Sequence, residues 1–217
     1  MHLRLLRRPS LFAVLLIAAT AVLAAPKVET TGPCTERAVP DAVRQVLAAQ
    51  GYRVTLDDGG TANLWPAAQM QTGSKAREDA TYGFAPSTLF GVIVFDKNTR
   101  DCRGNMIPAG AYNLRYELQP NDGSHLGVTP TPDFVLLVPA AADANPSQTY
   151  SFEQLVRLSK QVTGKNHPAP MNLVPPDAKQ FPSVVTDAEE HTILYLKVKT
   201  QSGDLALGLV VKAPTPE

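Results

Sequence analysis

Eight residues near the middle of the chain set its fold class. Tyr112, Leu114, Tyr116 and Leu118 alternate with Asn113, Arg115, Glu117 and Gln119. A period of two is strand spacing, and it predicts an antiparallel strand with its apolar side on a core and its polar side toward water. Should that polar face bind something instead, Arg115 and Glu117 are its anchors. Pro108-Ala109-Gly110 sets the turn into the strand.

Other segments repeat the signal. Tyr52, Val54 and Leu56 alternate, Asp57-Asp58-Gly59-Gly60 turns the chain, and Thr61–Trp65 returns as the second arm of a hairpin. Leu89–Phe95 and Phe134–Val138 are short apolar runs suited to buried strands. A closing hairpin joins Leu194, Leu196 and Val198 to Leu205, Leu207, Leu209 and Val211 through Gln201–Asp204. Two helices are expected. Pro40–Gln50 carries Val39, Val43, Val46 and Leu47 on one side and stops at Gly51. The other opens with the capping box Ser151-x-x-Gln154, shows the stripe Phe152, Leu155, Val156, Ser159, Val162, and stops at Gly164. Five prolines between Asn166 and Pro182 point to an extended surface crossing.

About seven strands and two helices without regular strand–helix alternation disfavour a doubly wound sheet. The expectation is a mainly β fold, an antiparallel β-sandwich with two peripheral helices. Its organisation is a signal peptide over 1–24, a tether over 25–33 and one domain over 34–217.

The leader reading rests on Arg4, Arg7 and Arg8 followed by an apolar stretch of 13 residues, Leu11 to Leu23, interrupted only by Thr20, with cleavage placed after Ala24. Thirteen residues span only ~20 Å as a helix, short of a bilayer core. The sequence therefore predicts export to a periplasm or beyond, with no transmembrane segment after cleavage. The remainder, 25–217, holds 17 basic against 20 acidic residues, a formal charge of −3. That balance disfavours nucleic acid as a partner. In an exported protein Cys34 and Cys102 are expected to pair, closing a 68-residue span and adding ~4 kcal/mol of stability on the chain-entropy argument.

The segment Pro108-Ala109-Gly110-Ala111-Tyr112-Asn113-Leu114 resembles a group of exported bacterial proteins of unknown function that share a P-A-G-x-Y-x-L strand entrance. More loosely it is similar to transthyretin-like and regulatory β-sandwich domains. The resemblance extends through His125-Leu126-Gly127-Val128, Asp133–Leu137 and His167-Pro168, covering residues 91 to 170. It implies the fold and the compartment, and no catalytic residue.

Several chemistries leave no trace. There is no G-x-S-x-G, Walker loop, dinucleotide glycine fingerprint, H-E-x-x-H or C-x-x-C. No catalytic residue is assigned and no cofactor is required. The leading expectation is a binding module for a protein or small molecule of the cell envelope. It would act through loops 119–133 and 163–176, where residues 119–132 form a 14-residue connection of the kind usually kept for function. Its contacts would be His125, Asp133 and His167, with Trp65 and Arg115 as further candidates; Trp65 serves equally well as hairpin packing. The alternative is a metal protein or metal-dependent hydrolase holding zinc or copper on His125, Asp133 and His167, since imidazole suits both ions. A structural envelope role is the third reading.

Overall fold

The computed structural model describes residues 25–73, 77–101, 103–120 and 131–214. Its first strands are β1 (Lys27–Thr31), β2 (Gly51–Thr55), β3 (Thr61–Pro66) and β4 (Leu89–Phe95), with the single-turn helix α1 (Asp41–Arg44) before β2. A small hairpin, β5 (Thr99–Arg100) and β6 (Met106–Ile107), leads to β7 (Gly110–Leu118) and β8 (Asp133–Pro139). Helix α2 (Phe152–Thr163) precedes β9 (Pro170–Val174), β10 (Ser183–Thr186), β11 (Thr192–Thr200) and β12 (Gly203–Lys212).

Ten of these strands form one antiparallel sheet in the order β1-β2-β3-β4-β7-β8-β9-β12-β11-β10. The sheet curls until its edges, β1 and β10, approach one another, so the fold is a near-barrel and not the expected seven-strand sandwich. The mainly β, antiparallel class with two helices is as the sequence predicts.

Alternation decides what lies inside. Leu64, Ile93, Leu114, Tyr116, Val135, Leu137, Leu173, Leu194, Leu196 and Leu209 point inward and are fully or almost fully buried. One end of the barrel is closed by the connection after β3, where Met70, Tyr82 and Phe84 join the core. Phe84 meets Tyr116 edge-on at 5.2 Å. At the other end Ile107, Val162 and Ala169 complete the same cluster. Close approach requires glycine at two places on the wall. A Cβ on Gly91 would strike the Trp65 carbonyl and lie 2.8 Å from Pro66 Cα, and one on Gly208 would lie 2.6 Å from Val174.

The outside of the barrel is covered in three places. Val39, Val43 and Leu47 pack over Trp65, Leu89 and Val92. Leu155 of α2 packs over Phe134, Leu136 and Val138. Ala178 and Phe181 lean on Ile193, Tyr195 and Val210.

Several expectations need correction. The tether contains β1, paired to β2 from Lys27↔Thr55 to Thr31↔Gly51. The first helix ends at Arg44, because Leu47 bridges Ala67 and Gly51 already belongs to β2. The proline-rich crossing includes β9, with Pro170 at its first position, where a missing N–H is tolerated. The polar face of β7 is not wet: Asn113, Arg115 and Glu117 are all buried beneath the 140–150 segment and the start of α2. Cys102 lies outside the described residues, and with it the expected disulfide; Cys34 is half-buried against the cluster that holds Val39, Val43 and Trp65.

Candidate ligand-binding cleft

Helix α2 forms one wall of a concavity on the outside of the barrel. Ser151 accepts the Gln154 N–H while the Gln154 side chain accepts the Ser151 N–H, so both reciprocal bonds of the capping box are present. Gly164 ends the helix in the left-handed conformation at φ 62°. Leu155, Ser159 and Val162 face inward, and the Ser159 hydroxyl accepts the Ala169 N–H at 2.9 Å, tying the helix to the entry of β9.

The opposite wall is the turn before β11, with Asp187, Glu189 and His191. Between the walls the outer face of β9 is left uncovered. The result is a cleft of about 430 Å³, within the usual size of small-molecule sites. Its floor includes Phe134, paired to Asn172, and Ile193, paired to Val210. Phe152 and Val156 reach in from α2.

Register separates the ends of this cleft. Gln119 and Pro120, following β7, lie toward the end where β8 begins. Lys160, His167 and the turn residues Asp187, Glu189 and His191 lie toward the end where β9 and β11 begin. One end is mostly apolar and the other is charged.

The turn residues are themselves ordered. Asp187 Oδ1 accepts the N–H groups of Glu189 and His191 at 2.9 and 2.8 Å. His191 Nδ1 then sits 3.1 Å from Asp187 Oδ2 and 3.7 Å from Glu189 Oε2.

The residues expected from sequence are dispersed. His167 is exposed and lines the cleft, and its carbonyl accepts the Thr163 hydroxyl at 2.7 Å. His125 lies outside the described residues. Asp133 is fully buried and points into the barrel, accepting Thr81 N–H at 2.8 Å, Tyr82 N–H at 3.3 Å and the Tyr116 hydroxyl at 2.5 Å. Burial, then that bond to a carboxylate, pushes the Tyr116 hydroxyl well above the usual phenol range. Leu137, bonded to Ala169, is four residues of strand beyond Asp133, about 13 Å away. Asp133 and His167 therefore face different spaces at different ends of β8, and cannot share one ion.

Trp65 is buried in the outer cluster under α1 and donates its indole N–H to the Gly32 carbonyl at 2.9 Å, which is packing and not stacking on a ligand. Arg115 is 1% exposed and grips Asp143 as a fork, Nε to Oδ2 and Nη2 to Oδ1, both at 2.7 Å. Its remaining N–H groups reach the carbonyls of Ser87, Asn145, Pro146 and Gln148, and the Tyr150 ring lies over it at 5.3 Å. This guanidinium holds the 140–150 segment against the barrel. In the 57–60 turn Lys212 donates to both Asp57 and Asp58.

Sequence reasoning missed Lys160, Phe152 and Val156 as lining residues and did not select Asp187, Glu189 and His191. The i, i+2, i+4 spacing D-x-E-x-H was the available signal. No helix among the described residues is long and apolar enough to cross a membrane. No protein family, curated protein or solved structure matches this chain.

Proposed function

We propose that the chain is an exported, non-enzymatic binding protein whose cleft takes one small, largely apolar molecule. The observation that carries this reading is the 430 Å³ concavity between α2 and the barrel wall, apolar along its floor and bearing the mixed charges of Lys160, Asp187 and Glu189, with His167 and His191, at one end. Both walls rest on packed elements, so the site is largely formed before a ligand arrives, which limits the ordering cost of binding. Segments 119–120 and 166–174 supply part of the lining, in keeping with the expectation that loops 119–133 and 163–176 do the binding. The basic, apolar N-terminal segment supports export.

The test is a fluorescence titration with 1-anilinonaphthalene-8-sulfonate, an anionic amphipathic probe. One site per folded chain is expected, weakened at least tenfold by Val156→Arg, which fills the cleft from its half-buried position on α2. A chain that leaves the probe dark, or a Val156→Arg variant that binds it as before, removes the cleft as the binding site and returns the structural reading to first place.

A further inference from the structure

We infer that Asp187, Glu189 and His191 bind a divalent cation of the zinc class at the charged end of the cleft. The three side chains present Oδ2, Oε2 and Nδ1 within 4.8 Å of one another. In a tetrahedral zinc site, donors about 2.0–2.2 Å from the ion stand roughly 3.3–3.6 Å apart. The two separations from Nδ1, 3.1 and 3.7 Å, straddle that edge length. Only the third side needs to close, and Glu189, 82% exposed, is free to swing.

The geometry is arranged in advance. With Oδ1 of Asp187 committed to two backbone N–H groups, Oδ2 is held toward His191. Two carboxylates and a neutral imidazole carry a formal charge of −2, which matches a dication. An imidazole donor favours zinc and its neighbours over calcium or magnesium, which prefer all-oxygen sets. The cluster also differs in setting from an ordinary surface ion pair: all three residues line the concavity. Three protein ligands leave a fourth position for water or for an anionic group held in the cleft. The ion site does not rest on the apolar-ligand reading, since the three ligands converge whether or not the apolar floor is filled.

The competing account is that protonated His191 merely pins the turn through Asp187 and Glu189. Zinc separates the two, because it must displace that proton. Untagged protein stripped with chelator is titrated calorimetrically with Zn²⁺. One equivalent is expected, bound at least tenfold more weakly by Glu189→Gln and by His191→Ala. The exposed Glu189→Gln variant leaves the fold intact, so a loss there reports on ligation. The inference is overturned by any of four results: no uptake, uptake indifferent to both variants, preference for Ca²⁺, or uptake lost in His125→Ala/His167→Ala instead. Probe binding in the Val156→Arg variant is read separately, so failure of either proposal is seen without the other.

Discussion

At the scale of single residues, the polar side of β7 is where burial and charge conflict. Arg115 and Asp143 are bonded to each other as a fork, and both have left water, so removing one partner strands the other. Arg115→Ala is expected to cost about 3–5 kcal/mol in urea unfolding, and Arg115→Met/Asp143→Leu should recover only the part owed to the stranded charge, because the carbonyls of Ser87, Asn145, Pro146 and Gln148 would still lose their donor. Glu117, two residues along the same face, has no such cation among the described residues. Burial, opposed by bonds from the backbone at Leu118 and Ser87 and reinforced by the nearby Glu153 charge, lifts its carboxyl to about 7 from an ordinary 4.5. The folded state therefore holds this proton more tightly than the unfolded chain. Below pH 4.5 both states are protonated and nothing is lost. Between 4.5 and 7 stability falls, by ~3 kcal/mol in all, and above 7 the loss is complete. Unfolding at pH 5 and pH 8 should show this drop in the native chain and its absence in Glu117→Gln.

Elements differ in how plainly the sequence announced them. β7, β4, β8 and the β11–β12 hairpin were legible because each alternates, or runs apolar, over enough residues to define a face. β1 and β10 were not: Lys27–Thr31 is mostly exposed and Ser183–Thr186 half-exposed, so neither carries a strong apolar pattern. β9 hid among prolines. Exposure proved harder to read than conformation. Nothing in Asn113, Arg115 and Glu117 announces that a segment 30 residues later will cover them. The same non-locality concealed the cleft, whose lining comes from α2, four strands and their connections. Among the described residues, His167 is the one expected contact that lines it. Helix α2 itself was legible from its stop and its cap, and the cap gives a direct check. Ser151→Ala removes the acceptor for the Gln154 N–H and should cost about 1 kcal/mol, measured as a shift in the urea midpoint with an unchanged slope.

For the molecule as a whole, strand order matters more than strand number. Consecutive neighbours run from β1 through β4, and again from β7 through β9, but β9 is then joined to β12 and not to β10. The β10–β11 pair reaches the rest of the sheet only through β12, the last described strand, which bonds β11 along its length and β9 at Leu209 and Gly208. A ribosome delivers the chain from the other end. Until Gly203–Lys212 has emerged, the earlier strands form an open sheet with a bare margin at β9, and the seam between β1 and β10 has nothing to close against. Such long-range closure is slow to nucleate. A product truncated before Gly203 is therefore expected to keep an unpaired, adhesive margin along β9.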